Sequence, residues 1–315
     1  MYILYYFLLT IYTSFVTTNL DTTAETILFI GHAYGHPGLD NKVIDPSVSN
    51  FVNNYSTEKY SYIVWGGDFI NDCNSTEEVS NFFQSLPESI LQKSLFIWGD
   101  HEFECYDNEN FEFLKHDENR MLTINNYDLF LLNTNFTDTY DYKDILNRIN
   151  SSPRSKILFT HNVIFSKSNW LLRSNGRDFY DLANVFYDEL QGEKELTIIA
   201  GDVGAIKGTP YLTYFKKNKN NLLTSGIGNG KNNFAVEIVL NPTNLIFNKL
   251  NLDNNVTKEL KPNYFLVTLY NIIFYFFLSK KRTVIFFALV AIFLFILKFN
   301  KYYIKFFKGF LNIMN

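Results

Sequence analysis

Leu95-Phe96-Ile97-Trp98-Gly99-Asp100-His101-Glu102 is an apolar run that reads as a strand and then gives out into a loop carrying Asp and His. Three other stretches repeat the pattern. Ile63-Val64-Trp65 leads into Gly66-Gly67-Asp68, Ile157-Leu158-Phe159 into Thr160-His161-Asn162, and Leu196-Thr197-Ile198-Ile199 into Ala200-Gly201-Asp202-Val203-Gly204. Side chains at successive strand ends converge on one edge of an α/β sheet, where such folds keep their chemistry. Asp and His are donors for divalent ions, so the pattern predicts a metal site.

Outward from these motifs, strands are predicted at 27–30, 61–65, 95–98, 129–133, 156–160 and 196–200, with helices near 76–84, 142–149 and 179–190. Strands alternating with helices imply a layered, mostly parallel α/β arrangement. After Asp202 the chain turns strand-rich at 211–215, 221–225, 234–240 and 245–250, which predicts a second sheet closing a sandwich. The expectation is one domain over 26–252, α/β in class, a β-sandwich of mixed sheets flanked by helices.

The chain has 315 residues and a net charge of −4, with acidic and basic residues interspersed. Nucleic-acid surfaces want a basic stripe with aromatic interleaving, so no nucleic-acid partner is expected. Both ends read as membrane segments. Tyr2 to Val16 is apolar and uncharged, and residues 1–20 are either a signal sequence or an uncleaved anchor. Within 263–300, Thr283 to Phe299 is long enough to cross the hydrocarbon as a transmembrane helix, while Tyr264 to Leu278, interrupted by Asn271, is a short first span or an interfacial helix. Lys301, Lys305 and Lys308 in the basic tail, 301–315, favour a cytoplasmic end, and Lys280-Lys281-Arg282 favours a cytoplasmic hairpin loop.

Taken in order, Ile30-Gly31-His32-Ala33-Tyr34-Gly35, Gly67-Asp68, Gly99-Asp100-His101-Glu102, His161 and Gly201-Asp202-Val203-Gly204 resemble the calcineurin-like metallophosphoesterases over residues 26–250. That family carries Asp-x-His, Gly-Asp, Gly-Asn-His-Glu/Asp, His and Gly-His-x-His at strand ends. The resemblance implies a cofactor of one or two divalent ions, with manganese, iron, zinc and magnesium all compatible. Asp68 would bridge them, and Asp100, His161 and Asp202 would complete the second position. His101 would assist the leaving oxygen rather than bind metal, and Glu102 would orient its imidazole. Hydrolysis would proceed by hydroxide formed at the metal.

The departures fall mostly on the first metal position, while at the second Asp100 stands for the family's Asn and Asp202 for its His. At the first, His32 stands for the family's Asp, Tyr34 for its His, and Gly204 for the last His, so that position keeps only His32 and Asp68. Three outcomes follow: a single-ion enzyme, a weakly held first ion completed by water or Tyr34, or a site without turnover. His36, Tyr34 and Asn162 are the expected substrate-side residues.

Each residue has a plainer reading. Asp68 and Asp100 after glycine are common caps or turn formers, and His161 alone reads as a hydrogen-bonded loop histidine. His116 reads as a solvated surface residue, and Gly226-x-Gly228-x-Gly230 as a tight turn, since no helix signal follows it. Cys73 and Cys105 leave the same face of neighbouring strands and either pair or stay as thiols. Asn54, Asn74, Asn135, Asn150 and Asn255 head Asn-x-Ser/Thr sequences, which are glycan acceptors in a eukaryotic secretory route or chance in an Asn-rich chain. The combined expectation is a membrane-anchored, metal-dependent phosphoesterase. Its catalytic domain would face away from the cytoplasm, and its substrate would be a phosphate mono- or diester, lipid- or glycan-linked if the anchor reports on it. The rival expectation is a binding or scaffold protein that kept the fold.

Overall fold

The computed structural model describes residues 24–35, 43–55, 57–105, 119–134, 139–165, 186–190, 194–202, 212–217, 219–227, 233–263, 284, 287–289 and 292. The chain divides into two compact units, one of residues 1–165 with 174–262 and one of 166–173 with 263–315.

In the first unit, β1 (Glu25–Ile30), β2 (Tyr62–Trp65) and β3 (Ser94–Phe96) are parallel neighbours. On the other flank of β1 lie β10 (Phe234–Leu240), β11 (Leu245–Asn251) and β12 (Val256–Glu259), all antiparallel. The second sheet runs β4 (Met121–Ile124), β5 (Tyr127–Leu132), β6 (Ser155–Thr160), β7 (Leu196–Ala200), β9 (Asn220–Ser225), β8 (Leu212–Lys217). It is parallel from β5 through β9 and antiparallel at both edges. Two mixed sheets with helices packed outside them form the layered α/β arrangement expected from the sequence.

The expected division of the chain is corrected in one respect. The strands after Asp202 do not build the second sheet; β8 and β9 extend the sheet of β5–β7, and β10–β12 extend that of β1–β3. Periodicity identifies a strand but not its neighbour. Here β10 completes β1, with Ile238 opposite Ile27 and Val236 opposite Phe29.

Alternation along β1 explains the layers. Ile27 and Phe29 join Val64, Leu95, Leu129, Leu131, Ile157, Phe159, Val236 and Ile238 in the core between the sheets. Leu28 and Ile30 join Ile63, Trp65 and Phe96 in a second core, under the helices α1 (Pro46–Asn54), α2 (Thr76–Ser85) and α3 (Glu88–Leu91). A strand covered on both faces has no polar face to show, which is why it reads as a continuous apolar run. In α1, Asp45 caps by accepting from Ser47 N at 2.8 Å, Pro46 opens the helix, and Val48, Phe51 and Val52 form its buried stripe. In α5 (Thr139–Ser151) the buried stripe is Tyr142, Ile145, Leu146 and Ile149, the spacing of one helix face. Residues 186–189 form a helical turn, and the rest of the helix expected at 179–190 lies outside the described residues.

Cys73 and Cys105 form a disulfide, with Cα atoms 5.5 Å apart. It joins the loop after β2 to the end of α4 (Asp100–Glu104), the short helix after β3.

The expected signal segment lies outside the described residues, as does most of the expected membrane helix. In the second unit, Val284, Phe287, Leu289 and Ile292 are helical and exposed, and among the described residues no helix is long and apolar enough to cross a membrane.

The disulfide closes a loop of 32 residues' separation, so opening it frees the unfolded chain by about 3–4 kcal/mol. Replacing both cysteines by serine is expected to lower the midpoint of thermal unfolding by roughly 10 °C; calorimetry on the oxidised protein and the double variant checks this.

Candidate metal centre

The parallel strands of both sheets point the same way, and their C-terminal ends meet. Gly31, Gly66 and Gly201, which follow β1, β2 and β7, pack backbone to backbone. A Cβ on Gly201 would lie 2.1 Å from the Gly66 carbonyl oxygen, and one on Gly31 would lie 2.1 Å from the Ser225 carbonyl oxygen. No side chain fits there. Ile227 N donates to Gly31 O at 3.0 Å, and Gly201 N reaches His161 O at 3.0 Å, so the strand ends are stitched as well as packed.

This seam delivers the four motifs to one place. Asp68, His161 and Asp202 present ligand-type atoms within 4.8 Å of one another, and so do Asp68, Asp100 and His101. His161 Nε2 is 3.3 Å from Asp68 Oδ1 and 3.4 Å from Asp100 Oδ1, while its Nδ1 lies 2.8 Å from the Gly66 carbonyl oxygen. A carbonyl only accepts, so Nδ1 carries a proton, and Nε2 faces the carboxylates, with a proton while the imidazole is charged and with a lone pair where a metal ion displaces that proton. His161 Nε2 and Asp68 Oδ1 are both buried and make no hydrogen bond. Buried carboxylates converging on one ring nitrogen want positive charge between them, as a proton on Nε2 or as a metal ion that replaces it. At metal–ligand distances near 2.1 Å, neighbouring ligands of one ion stand about 3.0–3.4 Å apart, so the donor set fits a divalent ion.

Electrostatics agrees. Burial first, then the carboxylates of Glu102, Asp100 and Asp202, push the Asp68 carboxyl well above its ordinary range against the pull of His161. Burial works against charge on His161, but Asp68, Asp100 and Asp202 outweigh it and hold its pKa well above the usual imidazole value. The cluster is short of positive charge.

Two of the supporting residues have backbone that side chains rarely adopt. Asp68 has φ 55° and His32 φ 47°, both left-handed. Gly67, at φ 85°, lets the turn form, and a Cβ there would meet His161 Nδ1 at 2.5 Å.

Glu102 does something other than expected. Its carboxylate does not orient His101; fully buried, it accepts from Asp68 N and Gly99 N at 2.8 Å each through Oε2, and from Phe69 N at 2.6 Å and Ile70 N at 3.2 Å through Oε1. Burial raises its pKa, yet four donors occupy the lone pairs a proton would need, and they hold it as the carboxylate. The third block is also helical rather than a loop, since Asp100–Glu104 forms α4. A Glu in the first turn of a helix, reaching back to the backbone before it, is the sequence signal for this role.

His32 and Tyr34 complete the surroundings. His32 Nε2 lies 3.2 Å from Asp68 Oδ2, and burial, followed by His161 and His101, lowers its pKa to about 3, so it is neutral. Tyr34 packs against His32 with ring centroids 4.5 Å apart and planes tilted by 44°, and points its hydroxyl at His101 Nε2, 3.5 Å away. Burial and four nearby carboxylates raise its pKa, keeping the phenol protonated. Asn162 is 1% exposed, so its side chain does not line the solvent-open face; that face is formed by His101, Asp100 and Asp202. His36, Val203, Gly204, Gly228 and Gly230 lie outside the described residues.

No protein-family profile matches the chain, and no curated protein matches its sequence. Solved structures are similar in fold. A conserved predicted phosphoesterase of Streptococcus pneumoniae is 12% identical, covering 76% of this chain and 98% of its own, at a TM-score of 0.35. Vps29 of Entamoeba histolytica with zinc is also 12% identical, covering 75% and 97%, at 0.39. The phosphopantetheinyl hydrolase of Mycobacterium tuberculosis is 9% identical, covering 65% and 91%, at 0.36. The case for a metal centre rests on the geometry of the site itself.

Glu102→Gln keeps the shape but puts an amide N–H against backbone donors. It is expected to cost about 2–4 kcal/mol of stability, since charge-assisted bonds are lost and donors are left facing one another. Urea unfolding of the purified variant checks this.

Proposed function

We propose that the chain is a metal-dependent phosphoesterase that hydrolyses phosphate mono- or diesters. The observation that carries this reading is the convergence of Asp68, Asp100, His161 and Asp202 from four strand ends, with the buried His161 Nε2 and Asp68 Oδ1 making no hydrogen bond and standing 3.3 Å apart.

When bound there, a divalent ion supplies a nucleophilic water near neutral pH and neutralises charge on the phosphoryl group. The protein does the rest. Asp68, Asp100, His161 and Asp202 hold the ion, and Gly66 O fixes the His161 tautomer through Nδ1. His101, on the solvent-open side beside Asp100, is placed to give a proton to the departing alkoxide. Tyr34 O–H faces the His101 ring nitrogen and sets its orientation.

The reading extends to a membrane-anchored protein whose catalytic domain faces an oxidising, extracytoplasmic compartment, with lipid- or glycan-linked phosphate as its substrate. The disulfide supports the compartment, since such bonds persist where thiols are not kept reduced. The apolar ends of the sequence, together with exposed Val284, Phe287, Leu289 and Ile292, support the anchor.

A second reading, a binding or scaffold protein without turnover, is favoured by His32 and Tyr34 standing at the first block. Full-length protein loaded with Mn2+ is expected to hydrolyse aryl phosphate monoesters or diesters. Asp68→Asn, or chelation, is expected to lower the rate at least about a hundredfold. Equal rates for wild type and Asp68→Asn would establish the scaffold reading instead.

A further inference from the structure

The two oxygens of Asp68 face different company. Oδ1 looks towards His161 Nε2 at 3.3 Å, and Asp100 and Asp202 complete that side. Oδ2 looks towards His32 Nε2 at 3.2 Å. That distance suits both a hydrogen bond and two ligands of a shared ion, so the count of donors decides between them. Catalytic ions of this kind are held by about three protein ligands. Among the described residues His32 belongs to no group of three such donors, whereas Asp68 shares one group with His161 and Asp202 and another with Asp100 and His101, the two joined by the 3.4 Å approach of His161 Nε2 to Asp100 Oδ1. Tyr34, the next side chain that reaches the site, sends its hydroxyl to His101 Nε2 and lays its ring on His32. Both His32 and Tyr34 are about 1% exposed.

We propose that the centre holds one divalent ion, on the His161 side of Asp68, and that His32 and Tyr34 are hydrogen-bonding partners rather than ligands of a second ion. His32 holds the Asp68 carboxylate from behind, leaving Oδ1 for the ion, and Tyr34 holds the His101 ring. Both are positioning residues. The inference rests on the metal reading above and narrows it to a single-ion centre.

The test is the metal stoichiometry of the full-length protein, purified in detergent, stripped with a chelator and titrated with Mn2+ by calorimetry, with electron paramagnetic resonance of the loaded sample. The expected result is one ion per chain and the spectrum of an isolated Mn2+. Tyr34→Phe, and His32→Asn, which keeps an N–H for Asp68, are expected to leave the stoichiometry at one, with affinity within about tenfold of wild type. Two ions per chain, or a spin-coupled pair in wild type, would overturn the single-ion centre and leave the metal reading intact. A fall from two ions to one in Tyr34→Phe or His32→Asn would identify that residue as a ligand and overturn it as well. No bound ion in folded wild type would overturn the metal reading and this inference together.

Discussion

A buried carboxylate that accepts four backbone N–H groups holds this site open for chemistry. Glu102 ties the turn after β2, from Asp68 to Ile70, to Gly99 at the end of the segment after β3. Those two segments carry Asp68 and Asp100, two carboxylates that repel one another in a pocket with little water. Without a clasp, the inexpensive response would be for the loops to drift apart until solvent screened the charges. Glu102 prevents this with backbone bonds alone, so none of the ligand-type side chains is consumed. The Cys73–Cys105 bond ties the same two segments further along the chain, so the pair of loops is fixed at both ends of its contact.

The clasp works only because the sheets are fused at their C-terminal edges. Gly31, Gly66 and Gly201 approach so closely that any side chain would push the strand ends apart. His161 gains its Nδ1 partner, Gly66 O, from a strand of the other sheet. The imidazole is thus oriented by one sheet and carried by the other, and its lone pair is aimed by the seam between them. Positive φ at Asp68 and His32 stores strain in the same place. Such strain is tolerated where the surrounding packing over-determines the backbone.

Much of this was legible in the residues. The apolar runs of β1, β2, β6 and β7 are continuous because both faces are buried, and each ends in the Asp or His that reaches the site. Less visible was α1, whose apolar stripe of Val48, Phe51 and Val52 is short, although Asp45-Pro46 is a clear opening signal. β12 escaped because all four of its residues are exposed and it is defined only by its pairing with β11. Pairing between distant strands was out of reach for a similar reason. A strand's own pattern says how many of its faces are covered, not by what. Glu102 was assigned to the wrong partner because its position beside His101 is local, whereas the four N–H groups it holds include three from residues 68–70 on another strand's loop.

His32 and Tyr34, at the end of β1, suit these constraints. An Asp in place of His32 would add a fifth carboxylate to Asp68, Asp100, Glu102 and Asp202, and further positive charge would be needed to balance it. A neutral imidazole adds no charge, and its Nε2 lies 3.2 Å from Asp68 Oδ2. Tyr34 then fills the volume beside it with a protonated phenol, a group that contacts His101 without adding to the negative charge. With a neutral His32 and a protonated Tyr34 there, that side of Asp68 adds no further negative charge to the carboxylates of Asp68, Asp100, Glu102 and Asp202.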